Sequence, residues 1–347
     1  MRQAGLKKHW QSPDSLSKTH PHLMKRSELT NPRPSTHYAK ALAGLFAWAL
    51  VLSAFSGCSV KRYAVNRLGD ALAAGGSSFS QDDDPDLIRD AAPFSLKTME
   101  ALLAESPKHV GLRIAAASGF TQYAFAFVQF SAEERESTDS TTSEQLRQRA
   151  RRLYLRARHH ALQGLDARHP GFERTLRENA SKAGQLLEKK DVALAYWLGA
   201  SWAAAISQGK DQPELVGELP LVQAVMDRTL QLDENWNYGS LHTFFIAYEP
   251  MRPGSAKSAP ARSEEHFQKA IALTGHQSVG PYVSLAESIC IPSQDHARFE
   301  SLLQSALKID PDARPEFRLE NLIMQRRARW LMTRVDELFV TKAKPAP

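Results

Sequence analysis

Aromatic side chains at helical spacing are the residues of this chain best suited to bind another molecule. Tyr238, Leu241, Phe245 and Tyr248 follow one another at steps of three, four and three residues, and His242 lies beside them. This spacing places them on one face of a helix. Rings with polar edges can stack on an organic ligand, although the same stripe is also typical of a packed core. The candidate residues for binding a ligand or partner are Trp197, Trp202, Tyr238, His242, Phe245 and Tyr248.

Motifs for catalysis or metal binding are missing. The sequence has no Gly-rich phosphate loop, no Gly-x-Ser-x-Gly, no His-Glu-x-x-His and no Cys-x-x-Cys. The acidic run 82–84 lacks the glycine and distal glutamate of a calcium loop, and it precedes Pro85, which favours a helix cap. His159 and His160 are adjacent, so a helix points them in different directions. We therefore predict neither an enzyme, nor a metal site, nor a cofactor.

Cys58 is the one position with an explicit covalent chemistry. An apolar run over residues 41–55 leads into Ser56-Gly57-Cys58, with basic residues before it. This resembles a bacterial lipoprotein signal, in which the leader is removed and the new N-terminal cysteine is acylated. The run is shorter than the ~20 residues that span a bilayer. Phe55 lies at a position where this signal usually has leucine. The alternative is an anchor segment that is not cleaved, in which Cys58 is incidental.

The leader also bears on the start of the protein and its location. Met24-Lys25-Arg26 is a usual opening for such a segment, which indicates that translation starts at Met24. Ser59 follows the cysteine where an aspartate would favour the inner membrane. We therefore expect a protein of the bacterial cell envelope, lipid-anchored through Cys58 and facing the periplasm, with the outer membrane favoured.

Charge argues against a nucleic-acid partner. The chain has 44 Lys and Arg against 38 Asp and Glu, but eight of the former and two of the latter lie in residues 1–57. Removal of the leader leaves 36 of each, so the mature chain is neutral. A basic surface for nucleic acid is then not expected.

Beyond residue 60 the pattern predicts helix almost throughout, with breaks at Gly and Pro. The segment 133–143, rich in Ser, Thr and Glu, is expected to be a mobile insertion. Cys290 lies among apolar residues and is expected to be buried. The predicted helices are 61–75, 85–106, 109–132, 143–167, 171–187, 191–209, 216–232, 236–249, 260–274, 279–290, 294–309 and 315–340.

Similar helix ends recur along the chain. The last apolar residues of four such ends, Leu165, Leu232, Leu273 and Ile309, are 67, 41 and 36 residues apart. These steps are near two, one and one periods of a tetratricopeptide repeat, ~34 residues. We predict an all-α superhelical solenoid of divergent tetratricopeptide-like hairpins, with an ordinary helical bundle as the alternative. Trp202, Tyr238, His242 and Tyr248 are then expected to line its concave face.

Several blocks in order resemble the T component of TRAP transporters that contains tetratricopeptide repeats (the TatT type). The resemblance covers essentially the whole mature chain. The blocks are 82–91, 94–100, 119–124, 190–191 with Trp197 and Trp202, 241–246, 282–287 and 325–330.

The resemblance implies a lipid-anchored, non-enzymatic accessory protein. Such a protein is expected to form a homotrimer and to associate with a periplasmic solute-binding protein (the P subunit), with a small hydrophobic or carboxylate ligand as possible cargo. The alternative is an envelope scaffold or assembly lipoprotein that binds no small molecule. The expected organisation is a leader at 1–57, a linker and first helix at 58–80, a helical domain at 81–340 and a disordered tail at 341–347.

Overall fold

The computed structural model describes residues 63–74, 76–252, 254 and 258–340, together with residues 40, 41 and 44. Apart from the last three, all belong to the unit Cys58–Pro347. Cys58, the tail predicted at 341–347 and nearly all of the predicted leader lie outside the described residues.

Helices make up the described part of the chain, which contains no strand. The α-helices are α1 (63–74), α2 (Gly76–Ser80), α3 (Pro85–Glu105), α4 (Val110–Tyr123), α5 (Phe130–Glu134), α6 (Ser140–Arg168), α7 (Phe172–Glu178), α8 (Ala180–Leu186), α9 (Val192–Ser207), α10 (Pro213–Val216), α11 (Leu219–Leu232), α12 (Trp236–Tyr248), α13 (Ala259–Leu273), α14 (Gly280–Leu285), α15 (Ile291–Ser293), α16 (His296–Leu307), α17 (Arg318–Met332) and α18 (Val335–Leu338). Short 3₁₀ helices span Lys189–Asp191, Glu249–Met251 and Pro315–Phe317, and π-helices span Ala124–Gln129 and Ala286–Cys290.

The all-α prediction is confirmed. Among the described residues, no helix is long and apolar enough to cross a bilayer. The acidic run before Pro85 forms a cap, as expected, because the Asp84 carboxylate accepts hydrogen bonds from the backbone N–H groups of Asp86 and Leu87. The repeat arrangement of the helices stays a prediction.

Several predicted segments differ from expectation. The helix predicted at 315–340 is divided into a 3₁₀ helix, α17 and α18. Two other segments also differ. The prediction of an insertion at 133–143 is wrong: α5 continues to Glu134, a short turn follows, and α6 begins at Ser140, with Ser143 Oγ donating to the Ala132 carbonyl at 2.7 Å. The predicted helix 171–187 is broken at Asn179, whose extended backbone ends α7 and whose side chain accepts from the Lys182 N–H to cap α8. In both segments local side-chain hydrogen bonds determine the course of the backbone. Such bonds cannot be predicted from the spacing of apolar residues.

Packing mainly joins helices that are close in the chain. The main contacts pair α3 with α4, α4 with α6, α6 with α9, α9 with α11, α12 with α13, and α16 with α17. One hydrophobic core lies around α9, α11 and α12, and another around α13 to α17. The first and last parts of the described chain also meet, since α2 contacts α17 and Arg318 donates to the Gln81 carbonyl at 3.1 Å.

Candidate functional site

Three of the six predicted binding residues lie buried together in the core around α9, α11 and α12. Trp202 is 1% exposed, and Phe245 and Tyr248 are 0% exposed. Trp197 is partly exposed and packs against the same core. His242 is 1% exposed, on the same helix as Phe245 and Tyr248. The expectation that Trp202, His242 and Tyr248 line an open concave face does not match this structure, because each of these side chains is no more than 1% exposed.

The indole N–H of Trp202 is hydrogen-bonded inside the protein and is therefore not available to a ligand. Its indole N–H donates to Glu218 Oε2 at 2.8 Å, and the Arg158 guanidinium lies 4.9 Å from the ring centroid. Arg158 also donates to Glu218 at 2.8 Å. A buried indole needs such a partner, since an unpaired N–H in a core is costly. This geometry makes Trp202 a structural residue.

His242 belongs to a polar group between α12 and α13. Its Nδ1 lies 2.8 Å from Nδ1 of His266, whose ring stacks on Phe245 with centroids 5.0 Å apart. The other ring nitrogen of His242 lies 3.5 Å from Glu234 Oε2, which is too long for a strong hydrogen bond. Burial lowers the pKa of His242, and it lowers the pKa of His266 to about 4. Both rings are therefore neutral at pH 7.

Tyr248 closes the same core. Its hydroxyl faces the Leu219 carbonyl at 3.4 Å, and burial raises its pKa to about 12. The next residue, Glu249, is only 1% exposed and lies 3.0 Å from Arg252 Nε. Arg252 in turn donates to Asp227. These charges neutralise one another within the fold.

Tyr238 is the one predicted residue that is well exposed, at 45%. It lies in a left-handed turn at the start of α12, where Asn237, Tyr238 and Gly239 have φ of 46°, 56° and 81°. Left-handed backbone is unfavourable for residues with a Cβ, so tertiary contacts must hold it. The Tyr238 ring packs edge-on to Phe317 with centroids 5.1 Å apart, and the Arg314 guanidinium lies over both rings.

Another group of aromatic residues, on α9 and at the start of α12, is partly exposed and has three rings in contact. Tyr196 contacts Trp197 and Trp236, with centroids 4.9 and 4.8 Å apart, and all three side chains are partly exposed. Of these, the spacing argument selected only Trp197. Tyr196 is adjacent to Trp197, and Trp236 lies two residues before Tyr238; this proximity is the signal in the sequence that could have added them. We call Tyr196, Trp197 and Trp236 the aromatic triad.

Glu320 places a carboxylate in the electrostatic environment of the triad. Burial raises the pKa of Tyr196, and the charge of Glu320 adds to that increase. Although the Glu320 residue is exposed overall, its Oε1 accepts from Ser278 at 3.3 Å and would lie only 2.6 Å from a Cβ on Gly280. Burial raises the pKa of this carboxyl as well.

A buried arginine joins three helical segments. Arg327 of α17 is 8% exposed and lies between the rings of Phe130 and Trp330, 4.5 and 4.4 Å from their centroids. It donates to Glu287, in the second π-helix, at 2.6 Å, and it pairs with Glu133 of α5. Burial raises the pKa of Glu287, while Arg327 opposes that increase. The arrangement is a structural clamp, with one guanidinium between two carboxylates.

The remaining reactive side chains have structural partners. Cys290 is buried, as predicted, and burial raises the pKa of its thiol to about 11. His160 contacts Arg113 at 3.0 Å and Glu100 at 3.2 Å. Within the residues that the structure describes, no group of three or more His, Cys, Asp or Glu is arranged to hold a metal ion.

Over its described residues the protein is all-helical and has partly exposed aromatic side chains. The polar groups described above do not assemble into a catalytic site. Comparison with known families is specific. Residues 81–339 match the TRAP transporter T-component family, and the chain belongs to that family. It is also similar to a protein of Treponema pallidum (strain Nichols) described as uncharacterized, at 28% identity over 313 residues, covering 85% of this chain and 97% of that protein.

Membership makes the chain an accessory component of a TRAP transport system, in a family of transporter components rather than enzymes. The resemblance noted in the sequence is thereby confirmed.

Proposed function

We propose that this protein is a periplasm-facing lipoprotein that docks a TRAP solute-binding protein through tetratricopeptide-like helical hairpins. The family match over residues 81–339 is the observation that carries this proposal. In this proposal the chain is anchored through Cys58, with the outer membrane favoured, and assembles as a homotrimer. The packing of helices that are close in the chain supports the repeat arrangement.

The docking or ligand surface in this proposal is the aromatic triad. Its rings are partly exposed and touch one another, and aromatic residues with a polar edge are common in binding sites. The charge of Glu320 acts on Tyr196, and a carboxylate near the triad would suit a ligand or partner that offers hydrogen-bond donors. A purely carboxylate ligand would be repelled by Glu320 unless that group were protonated. A small, partly hydrophobic ligand is therefore favoured over a simple carboxylate.

One observation favours the scaffold alternative, in which no small molecule is bound. Trp202, His242, Phe245 and Tyr248 are each no more than 1% exposed, so they fill the core. If the triad also contacts only a protein, the chain would act by protein binding alone.

The test is a pull-down of the tagged lipoprotein from detergent-solubilised envelope, with mass spectrometry of the co-eluting proteins. A stoichiometric periplasmic solute-binding protein is the expected result. Trp236→Ala should reduce its recovery several-fold, whereas Phe94→Ala, a change at an exposed ring on α3 (78% exposed), should not. Recovery of envelope assembly factors in place of a solute-binding protein would overturn the docking role.

A further inference from the structure

Helix α1 has an exposed outward face, from which Asp70 contacts His109. Its inward residues are the partly exposed Val65, Asn66, Leu72 and Ala73 and the buried Gly69, whereas Tyr63 and Leu68 are 62% and 51% exposed. Ala64, Leu68 and Ala71 are all exposed at positions i, i+4 and i+7, which is one continuous stripe on a helix. The outward face is thus mainly apolar; the full set is Tyr63, Ala64, Arg67, Leu68, Asp70, Ala71 and Ala74.

The inward face holds α1 firmly against α3 and α4. Ser106 Oγ donates to Asn66 Oδ1 at 2.7 Å, and His109 Nε2 lies 3.2 Å from the Asn66 carbonyl. A Cβ on Gly69 would come within 2.8 Å of Leu112, so the two helices approach closely. Because α1 is fixed in this way, its outward face has a defined orientation and is not a detached arm.

Chain length restricts what can cover that face. Tyr63 follows Cys58 by five residues, and an extended chain reaches at most about 18 Å over that distance. A lipid-modified Cys58 therefore keeps the start of α1 near the bilayer surface. A soluble partner has no such constraint.

The chemistry of the face suits a headgroup region. Arg67 Nε donates to the Tyr63 hydroxyl at 3.1 Å, and its guanidinium lies 5.3 Å from the ring centroid. Tyrosine is enriched at membrane interfaces, and arginine attracts lipid phosphates. Asp70, the one acid on this face, lies 3.2 Å from His109 Nε2. Lys61 and Arg62 add two basic residues to the short connection with Cys58.

We propose that the outward face of α1 lies on the membrane surface, with Leu68 and Ala64 in contact with lipid and with Arg67 at the level of anionic phosphates. This rests on the lipid anchor in the proposed function. Acyl chains hold the protein at the membrane, and α1 sets the orientation of the helical domain relative to the bilayer.

The experiment uses the full lipidated chain in vesicles of phosphatidylethanolamine and phosphatidylglycerol. The variants Leu68→Cys and Ala64→Cys each add one cysteine, which carries an environment-sensitive fluorophore. Leu186→Cys on α8 is the matched exposed control (38% exposed). Cys290 does not compete for the label because it is buried and burial raises its pKa to about 11. All three substitutions are at exposed sites and should not affect folding.

Lipids with a nitroxide quencher should reduce the emission at positions 64 and 68 several-fold more than at 186. Equal quenching at the three positions, in protein that floats with the vesicles, would overturn the role of α1 and leave the anchor intact. Protein that fails to float would overturn the anchor, and with it this proposal. Flotation thus separates the two failures.

Discussion

Nδ1 of His242 lies 2.8 Å from Nδ1 of His266, so one buried imidazole donates and the other accepts across the contact between α12 and α13. The hydrogen bond between the two rings requires that at least one of the two Nδ1 atoms carry no proton. When both rings are charged, two N–H groups oppose each other in a buried site, flanked by Lys269, Arg252 and Arg262 as well as the carboxylates of Glu234 and Glu249.

Stability should fall in mild acid because of this pair. Burial first, and then the charge of His242, lowers the pKa of His266 to about 4, against ~6.5 in an unfolded chain. The unfolded state thus binds protons more readily, so the stabilising contribution is complete above about pH 6.5 and is lost as pH falls toward 4.

Urea unfolding at several pH values between neutral and mildly acidic would measure this loss. His266→Gln removes the titrating ring and should flatten the acid decline, although His160, with a pKa lowered to about 4 by burial, will contribute a remaining slope. An identical slope in the wild type and the variant would contradict the assignment.

Trp202 should affect stability and leave binding intact. Trp202→Phe removes the hydrogen bond from the indole N–H to Glu218, which should cost about 1–3 kcal/mol because the acceptor is charged and part-buried. Trp202→Ala leaves a cavity and should cost about 3–5 kcal/mol. Denaturant unfolding gives both values, and capture of the solute-binding protein by folded Trp202→Phe should match the wild type. Loss of capture in that folded variant would make Trp202 a binding residue after all.

Arg327 should be more important to stability than either of its acidic partners. Arg327→Ala leaves Glu287 and Glu133 facing each other without the guanidinium between them, and removing one partner from a buried pair costs about 3–5 kcal/mol. Glu287→Gln keeps an acceptor for Arg327 and should cost less than half as much. Chemical denaturation of the two variants tests the order. A smaller loss in Arg327→Ala than in Glu287→Gln would show that the clamp is not needed.

Two glycine substitutions should have opposite effects. In Gly199→Ala the new Cβ would lie 2.1 Å from the Met226 sulfur, so the buried Met226 side chain must shift within the core, at a cost of about 1–3 kcal/mol. In Gly184→Ala the nearest atom is 3.7 Å away, and the helix should gain about 0.5–1 kcal/mol. Thermal unfolding of the pair would show whether the close approach at Gly199 is real; equal melting temperatures would contradict it.

The helices were predictable because their local signals agree. Pro85 after an acidic run marked the start of α3, and apolar spacing with breaks at Gly and Pro located most other helices. The π-helices at Ala124–Gln129 and Ala286–Cys290 were not predictable. An extra residue in a turn changes no composition and only shifts the periodicity slightly.

The aromatic stripe of α12 shows where sequence reasoning stops. Spacing correctly placed Leu241, Phe245 and Tyr248 on one face, but it does not say whether that face meets solvent or another helix. The structure packs it against α9, α11 and α13. Tyr238, at the same helical spacing, lies instead in a left-handed turn held by Phe317, about 80 residues away in the chain.

The sequence by itself determined the all-α class, the position of most helices and the family, because each depends on local pattern or on ordered blocks along the chain. Tertiary structure alone decided which aromatic rings are accessible, since exposure depends on contacts between helices distant in sequence. It buried Trp202, His242 and Tyr248 and left Tyr196, Trp197 and Trp236 partly exposed. It also gave α1 a fixed orientation, because Asn66 and Gly69 meet residues of α4 and the turn before it.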